Sequence, residues 1–154
     1  QSDCFFGKEN DPWTPGAGSS FLGRKTIIFR GWAKEMSYQN SLGREQYNDA
    51  FIEFPIDENY SSRVAEMVNL ERADSFWMDI NVFAYSKKTL PNLYENNIQL
   101  LGCIKHKNLY LAMSPVNKSK ALKLAKEFTV GMKQLRKSGK LSEILKVYGI
   151  HDWK

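Results

Sequence analysis

An acidic residue, Asp79, closes the apolar run Ser75-Phe-Trp-Met78, and a glycine, Gly31, closes the run Lys25-Thr-Ile-Ile-Phe-Arg30. Both runs have the composition of buried strands. In open α/β sheets ligands bind beyond the carboxyl ends of strands, where the strand order reverses. A carboxylate at such an end can meet a ligand cation without being buried inside the sheet, which makes Asp79 a recognition candidate. Gly31 precedes a helical stretch, so its amide and those beside it can point at an anion or a carbonyl. Trp32 follows it, and an indole at that rim would serve as a ligand platform. Each has a plainer reading as well. Asp79 can simply cap the next helix, where the dipole favours a carboxylate, and Trp32 can pack against the helix after it.

Catalytic signals are thin. The chain has no GxSxG, HExxH, P-loop or GxGxxG motif. His106 lies between two lysines in an expected turn and His151 lies in the tail, so both read as surface residues rather than bases. With two histidines, two distant cysteines and no CxxC, a zinc site lacks ligands. No cofactor or metal is expected. Cys4 and Cys103 are either two buried thiols or one long-range disulfide, which would suit an oxidising compartment.

The chain's 154 residues suffice for one domain with a substantial core. Its 42% hydrophobic and 25% charged content is that of a globular protein. No run reaches the roughly 18 apolar residues of a transmembrane helix. The start, Gln1-Ser-Asp-Cys4, is polar and acidic and shows no cleavable signal; the chain is expected to be mature, trimmed or a fragment. The net charge of +5 comes largely from residues 105–154. A basic helix can track phosphates or anionic lipid, but none of the motifs of a nucleic-acid binder accompanies it. It reads as a solvated helix face, with no nucleic-acid partner.

These residues need elements to hold them. Residues 2–6 read as a short strand, and residues 7–20, dense in Gly, Pro, Asn and Asp, as a loop. After the strand ending at Arg30, residues 33–40 can be helical, with Gly43 as a stop. Ala50-Phe-Ile-Glu-Phe54 is a strand ended by Pro55. Asp57 to Leu70 is an amphipathic helix on Val64, Met67, Val68 and Leu70. Ser75 to Met78 is a strand, Ile80 to Tyr85 starts a helix, and Pro91 breaks the stretch beyond it. Residues 98–104 and 109–113 are strand-like. Residues 118–138 form a long helix on Leu122, Ala125, Phe128, Met132 and Leu135. Gly139 is its C-cap, and Leu141 to Tyr148 a shorter helix. Alternating strands and helices predict an α/β fold with a mostly parallel sheet and a C-terminal helix pair.

Three segments resemble the type 3 extracellular solute-binding proteins, the periplasmic amino-acid-binding type. They are Phe21-Leu-Gly-Arg-Lys-Thr-Ile-Ile-Phe-Arg-Gly31, the block from Phe54-Pro-Ile-Asp57 through Met67-Val-Asn-Leu-Glu-Arg-Ala-Asp-Ser-Phe-Trp-Met-Asp79, and the closing run from Phe128 to Gly149. The last is similar to that family's final helix pair, and the likeness runs over most of residues 21–150. The resemblance implies one lobe of a two-lobed clamp that closes on an amino acid or related amine. The clamp would feed an ABC-type uptake system through a membrane permease, in the periplasm or outside the cell, without catalysis. It also implies that Asp79 holds the ligand's ammonium and that Phe29, Gly31, Trp32, Ala33 and Met78 line the second lobe's side of the pocket.

On this reading residues 1–20 are a crossover and remnant of the first lobe, 21–103 the second lobe, and 104–154 the return crossover and C-terminal helices. Most of the first lobe, with the arginine that would clamp an α-carboxylate, is absent, so the chain reads as truncated. Glu71 stands where the family has a glycine, and Trp32 and Ala33 where it has small or hydroxyl-bearing residues and glycine; the latter change shifts the expected ligand toward something flatter or more apolar. The final helices would then seek another surface, which predicts a homodimer or an exchanged helix. Two other readings remain: a sensory lobe of a receptor, and a prephenate- or arogenate-type dehydratase using Asp79 and Glu35.

Overall fold

The computed structural model describes residues 2–31, 35–95, 97–106 and 110–152, apart from the side chains of residues 2, 105 and 106. The chain divides into two compact units, residues 1–107 and 108–154.

Among the described residues the first unit holds five strands: β1 (Ser2–Lys8), β2 (Thr26–Phe29), β3 (Phe51–Phe54), β4 (Ser75–Asp79) and β5 (Ile98–His106). Their order in the sheet is β3-β2-β4-β1-β5. β2 runs parallel to β3 and β4, while β1 is antiparallel to both β4 and β5. Four strands therefore share one direction and β1 alone opposes them. The expected mostly parallel sheet is a mixed one, with its antiparallel member in the interior.

Parallel neighbours need crossovers, and helices supply them. Helices α1 (Glu35–Leu42) and α2 (Arg44–Ala50) join β2 to β3, and α3 (Tyr60–Asn69) joins β3 to β4. Helices α4 (Ile80–Thr89) and α5 (Pro91–Tyr94) lead to β5. Alternation along the strands fills two cores. On one face Cys4, Phe6, Ile27, Phe76 and Met78 pack with Tyr60, Val64, Ala65 and Val68 of α3 and with Tyr94. On the other, Phe5, Ile28 and Trp77 pack with Phe21, Tyr38 of α1 and Tyr47 of α2. Phe21 lies 5.2 Å from Tyr38 and 5.0 Å from Phe51, ring to ring. Full burial of each such side chain is worth about 1.5–3 kcal/mol, so α1 and α2 are fixed by their aromatic contacts more than by helix propensity. At Gly43, which starts α2, there is no side-chain cap bond.

Three elements differ from the expectation. Gly43, at φ 80°, ends α1 but also starts α2, a helix that the local sequence pattern does not predict. β1 continues to Lys8, two residues into the expected loop. Residues 110–113, read as part of a strand, form none. Tyr110 and Leu111 are exposed, while β5 alone occupies the sheet edge beside β1. Pro91 breaks α4 and then opens α5 at its first turn, where a missing N–H costs nothing.

The second unit is a helical hairpin. Asn117 caps α6 (Lys118–Lys137) through a 3.0 Å bond from the Lys120 N–H, and Gly139, left-handed at φ 77°, turns the chain into α7 (Lys140–Val147). Arg136 clasps Asp152 at 2.8 and 3.1 Å. Leu141 is its buried residue among those described, whereas Phe128, Ile144 and Tyr148 stay about half exposed. No helix among the described residues is long and apolar enough to cross a membrane.

Candidate functional site

The strand order contains one reversal. From β2 the chain crosses to β3 over the α1/α2 face, then returns over β2 to β4 by way of α3 on the opposite face. The order reverses between β2 and β4, and in open α/β sheets such a reversal is where a crevice forms at the strands' carboxyl ends. Phe29 and Gly31 stand at the end of β2, and Met78 and Asp79 at the end of β4. The expected residues on these two strands thus converge on one edge.

Their roles differ. Asp79 is half-buried and caps α4, accepting the Asn81 N–H at 2.9 Å; the plainer reading of this residue holds alongside any ligand role. Gly31 is exposed at φ 76°, with nothing among the described residues within 4 Å of where a Cβ would sit. Conformation rather than space calls for glycine there. Phe29 packs its ring 4.7 Å from that of Trp77. The Met78 side chain is 1% exposed within the α3-side core, so Met78 can offer the crevice only its main chain. Trp32 and Ala33 lie outside the described residues. β3 ends on the same edge, where the Arg30 N–H donates to the Phe54 carbonyl at 2.8 Å.

No protein-family model matches the chain, and no curated protein matches it by sequence. Solved structures do. A mutant of ArgBP from T. maritima superposes with a TM-score of 0.61 at 12% identity, over 96% of this chain and 57% of that one. An ancestral arginine-binding protein bound to arginine gives 0.58 at 18% identity, over 96% and 59%. Substrate binding domain 2 of Lactococcus lactis GlnP, in an open conformation, gives 0.53 at 15%, over 96% and 57%. The fold is that of a periplasmic-binding-protein lobe. The chain spans 57–59% of the length of these structures.

Within the lobe a second carboxylate joins the crevice edge. Asp3 of β1 is the register partner of Asp79 across the antiparallel β1–β4 ladder. Directly opposite residues project from the same face of a sheet. Asp3 is 9% exposed and accepts the Trp77 Nε1–H at 3.3 Å. Burial, with the Asp3 charge adding to it, pushes the Tyr38 hydroxyl up to about 12. Asp3 is not among the residues expected from sequence, because only the long-range β1–β4 register brings it to Asp79. Its one local signal is the alternation of Asp3 with Phe5 around Cys4.

The remaining candidates are accounted for. Glu35 opens α1 and accepts a 3.2 Å bond from Gln39. The side chain of His106 lies outside the described residues, and His151 is exposed. No group of metal-binding side chains occurs among the described residues. Cys4 and Cys103 are register partners on β1 and β5 and are joined, with sulfurs 2.09 Å apart. A cavity of about 310 Å³ lined by Leu22, Arg24, Lys25 and Asp49 lies by the amino ends of β2 and β3, away from the crevice.

Proposed function

We infer that this lobe binds a small solute, an amino acid or related amine, and that Asp79 holds the ligand's ammonium at the β2/β4 crevice. The observation that carries the reading is the position of Asp79 at the strand-order reversal, with Asp3 beside it and Gly31 across from it. A charge-assisted bond there is worth about 1.5–3 kcal/mol. Phe29, Trp32 and Ala33 would line the crevice from the β2 side, and Met78 would do so with its backbone. Nothing in this arrangement requires a catalyst. Supporting the choice of ligand, the structures it resembles include an ancestral protein bound to arginine and one bound to glutamine.

A clamp needs an opposing jaw, so the pocket would be completed by a second lobe. The permease of an ABC-type system would be the downstream partner, and the disulfide suits a periplasmic or extracellular setting. A sensory domain would use the same crevice. The exposed apolar residues of α6 and α7 make a second copy of the chain a further proposed partner; sedimentation giving a monomer at every concentration would remove that proposal. Calorimetry with a panel of amino acids and amines tests the ligand reading, which fails if Asp79→Asn binds as the native chain does.

A further inference from the structure

We propose that the Cys4–Cys103 bond is a redox-sensitive latch on the terminal half of β5, separate from any role in ligand binding. The β1–β5 ladder is uneven. Ile98, Gln99 and Leu100 pair in step with Lys8, Gly7 and Phe6. From Leu100 to Gly102, and again from Cys103 to His106, β5 carries one residue more than β1, so a bulge interrupts the ladder on each side of the Cys4–Phe5 pairs. β5 is also an edge strand, with β1 as its single neighbour in the sheet. Residues 103–106 therefore have only the interrupted Cys4–Cys103 and Ser2–His106 pairs, the disulfide and the packing of Ile104 on the Phe5 and Trp77 core to hold them, whereas residues 98–100 have a continuous ladder.

The chemistry needs a dithiol reductant. Cys103 is half-buried and Cys4 has no exposed surface, so the reductant's thiolate attacks the Cys103 sulfur and Cys4 leaves as a thiolate that takes up a proton. The reductant's second thiol then displaces Cys103 and closes its own disulfide, so two electrons pass to the protein. With the bond open, the end of β5 detaches while the β3-β2-β4-β1 sheet persists. Restoring oxidising conditions closes it again.

Hydrogen exchange on the full chain, before and after dithiol treatment, tests this at short labelling times. The expected result is exchange about tenfold or more faster at residues 103–106, with residues 98–100, β2 and β4 still protected at the same times. Cys103→Ser without reductant should give the same pattern. Unchanged protection at residues 103–106 would overturn the latch, and so would simultaneous loss of protection in every strand of the reduced chain.

Discussion

Asp3 and Asp79 face one another as register partners across the β1–β4 ladder, and one of them is almost wholly buried. Like charges directly opposite in a sheet destabilise it by roughly 0.2–1 kcal/mol. Two features offset this here: the Trp77 indole N–H on Asp3 and the Asn81 amide on Asp79. Both donors would stabilise carboxylate charge at this edge, where the proposed ligand ammonium would be received.

The bond between Asp3 and Trp77 predicts a difference between two substitutions. Asp3→Ala leaves a buried indole N–H without that acceptor, a loss of about 1–3 kcal/mol. Asp3→Asn keeps an acceptor oxygen and should lose less. Urea denaturation followed by tryptophan fluorescence measures both, and equal losses would remove the indole bond from the explanation.

Asp79 has a structural duty as the cap of α4, separable from its proposed ligand role. Asn caps helices about as well as Asp, whereas Ala costs about 1 kcal/mol at an N-cap. Asp79→Ala should lower thermal stability accordingly, while Asp79→Asn stays near the native midpoint.

Glu71 occupies a left-handed backbone position, φ 57°, where the resembling family has glycine. Glu71→Gly should stabilise the chain by about 1 kcal/mol through relief of that strain. The ion pair it gives up, with Lys8, is exposed and of little weight. The Lys8 ammonium does hold the Glu71 carboxyl below its usual range, a shift that does not alter this prediction. A lower melting temperature for Glu71→Gly would count against it.

Alkaline stability follows from four tyrosines. Burial raises Tyr38 and Tyr94 from 10.0 to about 12 and pushes Tyr47 and Tyr60 higher still. These groups ionise more readily unfolded than folded, so their contribution is whole below about pH 10. It is lost as pH rises from there through the folded values. Unfolding should therefore rise above about pH 10 together with the share of tyrosinate absorbance that these four contribute; tyrosinate forming at pH 10 in a still-folded chain, in proportion to all seven tyrosines, would contradict this.

Loss of the disulfide has a global cost beside the local release of β5. The bond closes a loop of 99 residues, and chain entropy assigns such a loop about 4–5 kcal/mol. Denaturation of the reduced chain should show a loss of that order, and a loss below about 1 kcal/mol would mean that the reduced unfolded chain is already compact.

Most of the lobe was legible because its strands are short apolar runs and its main helices have one apolar face. Thr26–Phe29, Phe51–Phe54 and Ser75–Asp79 lie within a residue of where their composition put them. Local pattern failed where tertiary contacts decide. α2 exists because Tyr47 and Ala50 join the core built by Phe5, Phe21, Ile28 and Trp77, partners that lie outside any local window around it. Residues 110–113 look like a strand but do not become one. The convergence of Gly31 and Asp79 was readable from strand ends alone, whereas Asp3 required knowing that β1 inserts antiparallel between β4 and β5.

The central claim, that Asp79 holds a ligand ammonium, is tested most directly by titration calorimetry of the native chain and Asp79→Asn against the same amines and amino acids. The account predicts that a ligand bound by the native chain loses about 2 kcal/mol, roughly thirtyfold in affinity, in the variant while its fold and melting temperature are kept. Equal affinity in the two proteins would contradict it.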